Sequence, residues 1–496
     1  MICEGPRRFC LERILAVLVL FVGCLGTAET AGVSAAAIQS AISARDFSEA
    51  LELLHSALQS APNDPRLLTL QGVAYRGLGD KKASLLSFQK ALKISPNAIP
   101  ALHGAAQIEY ESGSESGIPL LQHLLQLEPG NPTTHGMLAV LAYQRGNCNL
   151  ATVHFKKAGT LFDSEPAALH AFTVCLLKLK QYDEAVRVFQ STVNLSVDEQ
   201  GERHVLAAIQ LMAKRPADAL TTLEPLLQTG SPDAETLELA SSAYEYTKDT
   251  ARAVSMLREA ILLDPQNVNL YLDFANISYA HGSFQVGIDV INDGLGLQPN
   301  AAPLYFARGV LYVQLANFEK AETDFEKAYE LDPSQSLSSA AQGLAAAQQN
   351  DFERALAKTE ESLSRKPDDP LMLYLQADIL AQKHPDPDSA DFQLAMRSAR
   401  KAVSLQPTLA AAQGVLAKLY LQSGRYKEAA EECRKALLND PKDQASVYHL
   451  IQALRKIGNN DEVPDLLKRL ALLRRQAAKE TSDRYQYRLV EGAAEQ

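Results

Sequence analysis

Residues Pro299 to Pro333 read PNAAPLYFARGVLYVQLANFEKAETDFEKAYELDP. Two helical patterns lie inside this stretch, Ala302 to Leu315 and Phe318 to Glu330, with a turn at Ala316-Asn317 between them. Large apolar side chains recur at helical spacing: Tyr305, Val310 and Tyr312 in the first pattern, Phe325 and Tyr329 in the second. Gly309 and Ala321 are small where the two helices must approach closely. One such hairpin cannot bury its own apolar faces, so it requires copies stacked on either side.

The copies are in the chain. Pro62, Pro96, Pro129, Pro265, Pro299, Pro333, Pro367, Pro407 and Pro441 each follow the second helix of a pair. Most of the gaps are 33 or 34 residues or a multiple of these, and the gap from Pro367 to Pro407 is 40. Proline suits the position because it lacks the N–H that a continuing helix would use, and it restricts the residue before it.

The linked positions resemble the tetratricopeptide repeat: a large residue, a small one and a Tyr, then after the turn an Ala, an aromatic, a second Ala and a Pro. The central copy carries Tyr305, Gly309, Tyr312, Ala321, Phe325, Ala328 and Pro333. The copy before Pro96 carries Leu68, Gly72, Tyr75, Ser84, Phe88 and Ala91. The copy before Pro265 carries Leu237, Tyr244, Ala253, Leu257 and Ala260. The copy before Pro441 carries Ala417, Tyr420, Ala429 and Ala436, with Cys433 in the aromatic slot. The resemblance runs from about residue 33 to 475, in about thirteen copies. It implies an all-α solenoid of helical hairpins wound as a right-handed superhelix. The reading divides it into a block at 33–231 and a block at 234–475, with a flexible tail at 476–496.

At 496 residues the chain exceeds one ordinary globular core, a limit that a solenoid avoids because each repeat packs only on its neighbours. The net charge of -11 is spread without long blocks, which argues against general nucleic-acid binding. Residues 1–28 read as an export signal or amino-terminal anchor: Arg7, Arg8 and Arg13 precede an apolar run from Ile14 to Leu25 and the small residues Gly26, Thr27 and Ala28. Phe21-Val22-Gly23-Cys24 also resembles a bacterial lipobox, which would make Cys24 a lipidation site. Either reading makes the chain an exported bacterial member of the family, periplasmic or attached to the cell envelope. Beyond that segment only Cys148, Cys175 and Cys433 remain, unlike a dense disulfide set. Cys175, mid-helix, and Cys433 read as small buried hydrophobes, and Cys148 as a residue at a helix start.

The hairpins are not equally regular. Pro225 falls within the second helix of the sixth pair and should kink or shorten it. The fifth pair, Ala167 to Leu179 and Tyr182 to Leu195, has no closing proline. Lys383 to Asp388 is an insertion in the turn of the eleventh pair. The last pair ends in a charged cap, and residues 479–496 read as fraying.

The resemblance implies that first helices line a concave face. Its lining positions include Leu102, Val140, Tyr143, His170, Val174, Leu272, Asn276, Phe306, Val310 and Leu344. A contiguous apolar surface of this kind marks an interaction site. Its expected occupant is a helical or extended segment of a partner protein. Asn276 lacks the companion residues of the lysine-and-asparagine clamp with which some family members hold a terminal carboxylate. Glu235, Glu238 and Glu245 share one face and read chiefly as solvated acids, as do Glu322 and Asp324. The chain has no Gly-rich phosphate loop, no His-Glu-x-x-His and no Gly-x-Ser-x-Gly. His154 and His170 join no local cluster in sequence. The expectation is a non-enzymatic protein-binding scaffold without cofactor, metal or nucleic acid. Two further readings are an accessory of a cell-envelope polysaccharide or outer-membrane secretion system, and a carbohydrate-binding or glycosyltransferase-associated module.

Overall fold

The computed structural model describes residues 35–484 apart from 194, 334–340 and 342–350. Among these residues the regular structure is helical, with no strand. Within each unit helices pack as hairpins, such as Pro65–Gly77 with Lys81–Ile94, and second helices pack on the hairpin that follows, such as Lys81–Ile94 on Ile99–Ser112. The quoted stretch folds into helices Ala302–Gln314 and Phe318–Leu331. A Cβ added to Gly309 would lie 2.5 Å from the Phe325 ring, and one added to Gly72 would lie 2.6 Å from Phe88. The small residue and the aromatic therefore fill one close contact in both copies, as the spacing requires.

The turns have a shared mechanism. Ala316 takes φ 56°, and its N–H donates to Val313 O while Asn317 N–H donates to Tyr312 O. These two bonds satisfy the carbonyls left open at the end of the first helix. The Asn317 side chain then accepts from Lys320 N and starts the second helix. Gly79-Asp80, Gly146-Asn147 and Lys248-Asp249 repeat the device, with positive φ at the first residue and a side-chain cap from the second. Two residues thus stop one helix and start the next.

The prolines also do more than stop helices. Tyr271 donates to Pro265 O at 2.9 Å, Tyr305 to Pro299 O at 3.1 Å and Gln413 to Pro407 O at 2.9 Å. Each donor stands six residues after its proline. His135 has the same place after Pro129, with Nε2 at 2.9 Å from the carbonyl. A polar side chain in the first helix of a hairpin therefore ties back the proline carbonyl of the linker before it.

Several boundaries differ from the sequence expectation. The helix beginning at Cys148 ends at Ala158 and continues as a 3-10 turn, Gly159–Phe162, because Gly159 at φ 59° breaks it. The second helix of the fifth pair stops at Phe189 and not at Leu195. Pro225 sits in the last turn of Pro216–Leu227, where the helix ends two residues later. The terminal helix runs from Val463 to Arg484, so residues 479–484 are helical rather than frayed. The first helix of the tenth pair lies almost wholly outside the described residues.

Two of the three cysteines are not the separate thiols that the sequence suggests. Cys148 and Cys175 form a disulfide with their Cα atoms 4.8 Å apart. Sequence spacing hides the pair because packing of one hairpin on the next, rather than local chain geometry, brings the residues together. Cys433 stays a free, buried thiol, and burial pushes its pKa up to about 12.

The described residues fall into two compact units that divide between Leu226 and Leu227. In the first, the largest core cluster includes Leu121, Leu124, Met137, Phe155 and Phe162. In the second, one cluster includes Phe392, Leu416, Tyr420 and Leu450 and ends on Val463, Leu466 and Leu470 of the terminal helix.

Candidate interaction surface

Within each unit, first helices of successive hairpins pack side by side. Pro132–Gln144 contacts Pro166–Lys178 in the first unit, and Val268–Ala280 contacts Ala302–Gln314 in the second. Their outer faces carry the candidate lining residues. Tyr143, His170 and Val174 are half-buried in the first unit, as are Leu272, Phe306 and Val310 in the second, and Asn276 is exposed. Leu344 and the possible lipidation residue Cys24 fall outside the described residues.

Leu102 and Val140 do not line an open surface. Each is 1% exposed, inside the cluster with Leu121, Leu124 and Met137. The lining pattern assigned both to the outer face, but the folded chain buries them in its core.

The polar groups on these faces are more organised than their sequence suggests. His170 Nε2 lies 3.0 Å from the Glu202 carboxylate, which is also bonded by Thr192 Oγ1 at 3.0 Å, and its ring stacks on Phe189. Glu202 is largely buried, so these bonds satisfy a carboxylate removed from water. His135 and His154 meet at their Nδ1 atoms, 2.9 Å apart. A carbonyl can only accept, so His135 Nε2 donates to Pro129 O, and its Nδ1 accepts from His154 Nδ1–H. Burial, then the neighbouring His135 and Lys157, lower the His154 pKa. The pair therefore has a structural role, and the donor position six residues after a proline is the sequence signal that points to His135.

The acids also depart from a simple solvated reading. Glu238 hydrogen-bonds Asp273 from the next first helix. Burial, then Asp273 and Glu235, push the Glu238 pKa up to about 7. Burial raises the Asp273 pKa too, against the opposing hydrogen bonds from Glu238 and Asn276. Two carboxyls in contact cannot both ionise cheaply, so the pair tends to hold one proton. Glu245 lies 2.8 Å from His281 Nε2. Asp324 is 3% exposed and takes two bonds from Arg308, at 2.7 and 2.8 Å. Arg308 also reaches Asn292 Oδ1 at 2.6 Å, so it ties two successive hairpins together. Glu322 pairs with Arg354 of the following hairpin. These acids are inter-helix and inter-repeat links, which sequence could not show because their partners stand 16 to 36 residues away.

Among the described residues no group of three or more His, Cys, Asp or Glu is placed to hold a metal ion. No helix among them is long and apolar enough to cross a membrane.

Models of the tetratricopeptide repeat match residues 36–99, 234–267, 306–370, 340–401 and 388–454. The chain belongs to the tetratricopeptide-repeat proteins, whose repeats serve generally as protein-interaction modules. It is similar to superkiller protein 3 of Schizosaccharomyces pombe, at 24% identity over 332 residues, covering 61% of this chain and 23% of that protein. It is similar to tetratricopeptide repeat protein 16 of Mus musculus, at 25% identity over 308 residues, covering 58% and 37%. ER membrane protein complex subunit 2-B of Xenopus laevis is 24% identical over 152 residues, covering 30% of this chain and 51% of that protein. The matched parts thus span from about a quarter to about half of these relatives. Among solved structures the chain is similar to the crystal structure of yeast Tom70, with a TM-score of 0.45 and 19% identity over 90% of this chain and 93% of that one.

Proposed function

We propose that the chain is a non-enzymatic scaffold that holds a helical or extended segment of a partner protein against the first helices of its hairpins. The observation that supports this reading is the recurrence of half-buried apolar residues on adjacent first helices. Leu272, Phe306 and Val310 stand there beside the exposed Asn276. The protein's own second helices leave these side chains partly open, and a partner's apolar face could cover the remainder. Tyr143, His170 and Val174 offer a corresponding surface in the first unit. The work is equilibrium binding with no covalent step. In this reading residues 1–28 direct the chain out of the cytoplasm or tether it to the envelope, with Cys24 as the candidate lipid attachment point.

The test is site-specific photocrosslinking in native membrane and soluble envelope fractions. A photoreactive residue at Asn276 should capture a partner that one at Lys327, exposed on a second helix, does not. Equal capture from both positions would remove the first-helix face as the binding surface.

A further inference from the structure

The binding reading makes no use of the bridge between Cys148 and Cys175. Cys148 opens the second helix of the fourth hairpin, Cys148–Ala158, and Cys175 lies within the first helix of the fifth, Pro166–Lys178. The sulfurs therefore join two successive repeats. Cys148 is 7% exposed and Cys175 is 0% exposed. Phe155 stacks on Phe172 with ring centroids 5.0 Å apart, beside the same junction.

This junction is the irregular part of its unit. The fourth hairpin ends in the 3-10 turn at Gly159–Phe162, where the third ends in the linker at Pro129. The fifth hairpin has a second helix of only 8 residues, against 14 for Lys81–Ile94. A short second helix offers less apolar face to the next repeat. In a solenoid each repeat is held by its neighbours alone, so a weak hairpin lowers the stability of a whole segment. The covalent bond ties the fifth hairpin, whose own second helix is short, to the better-formed fourth.

We infer that Cys148 and Cys175 are an oxidation site that latches the fourth hairpin to the fifth, and that the chain acquires this latch in an oxidising compartment. The oxidant is an oxidised dithiol protein of that compartment. Cys148 is the less buried of the two, so its thiolate meets the carrier first. It attacks the carrier's disulfide, forming a mixed disulfide and releasing one carrier thiolate. The Cys175 thiolate then attacks the Cys148 sulfur, closing the protein bridge and releasing the second carrier thiolate. The two protons lost by the cysteines balance the two taken up by the carrier, which leaves reduced by two electrons. Once packing buries both sulfurs, small reductants reach them only through local opening, so the latch is lasting and does not cycle quickly.

The experiment uses the full chain isolated with its own amino terminus, denatured without reductant and alkylated. Mass spectrometry should find Cys148 and Cys175 joined in one disulfide-linked peptide pair and unalkylated, with Cys433 alkylated. Alkylation at both 148 and 175 would overturn the proposal, whatever any variant does. The second measurement compares hydrogen exchange in wild type and in a Cys148→Ser, Cys175→Ser double variant. Exchange across residues 148–189 should rise at least tenfold, while residues 410–457 stay unchanged. Equal protection across 148–189 would show that the bridge forms without serving as a latch.

Discussion

Glu238 and Asp273 show how a single side chain acquires its properties from a neighbouring repeat. Each comes from a first helix, and each faces the other across the boundary between hairpins. The folded chain holds a proton on Glu238 up to pH of about 7, whereas the unfolded chain releases it near 4.5. Between these values the folded state binds more protons, so stability falls as pH rises. The contribution is fully present below 4.5 and is lost as pH passes 7. Glu238→Gln removes this dependence while keeping a group that can donate to Asp273. In urea melts the variant should match wild type near pH 4.5 and exceed it by about 2 kcal/mol at pH 8, a figure reduced for its partial contact with solvent. Parallel stability profiles for the two proteins would mean that the carboxyl pair does not share a proton.

At the scale of the element, the two-residue turn decides where each helix stops. Ala316 sits at φ 56° where Gly79, Gly146 and Gly424 sit in other hairpins. An L-residue pays a steric penalty in this left-handed region, and glycine does not. Ala316→Gly should therefore raise stability by about 1 kcal/mol, read as a shift of the urea midpoint with an unchanged slope. A lower midpoint would show that the added freedom of the unfolded chain outweighs the relief of strain. The helix pattern, the turn at Ala316-Asn317 and the small-residue contact at Gly309 were all legible in the quoted stretch. The left-handed conformation at Ala316, Lys180 and Lys248 was not, because alanine and lysine carry no turn signal of their own. The capping bonds impose it on them.

At the scale of the whole molecule, a repeat protein needs an end that does not invite further stacking. The terminal helix Val463–Arg484 places Val463, Leu466 and Leu470 over Val447, Leu450 and Leu454 and turns Lys468, Arg474 and Arg475 outward. A chain cut after Gly458 would expose that apolar face. It should self-associate at micromolar concentration in light scattering, where the full chain stays dispersed. A monodisperse truncated chain would show that the preceding hairpin closes the core by itself. The candidate surface was only partly legible at this scale. Leu272, Phe306 and Val310 keep partial exposure, whereas Leu102 and Val140 are buried in the core cluster that also holds Leu121, Leu124 and Met137, which depends on how tightly one hairpin sits on another.

The sequence by itself determined the helical hairpin, its period and the small and aromatic residues that interlock, because these depend on spacing within about 34 residues. It also placed the proline stops, since those act on the adjacent backbone. Only the tertiary structure decided the Cys148–Cys175 bridge, the His135–His154 pair, the Arg308–Asp324 link and the shared proton of Glu238 and Asp273. Each depends on which side chains meet when helices pack, and on how much water that packing removes. Those are properties of distance in space, and the linear order of residues carries them only indirectly.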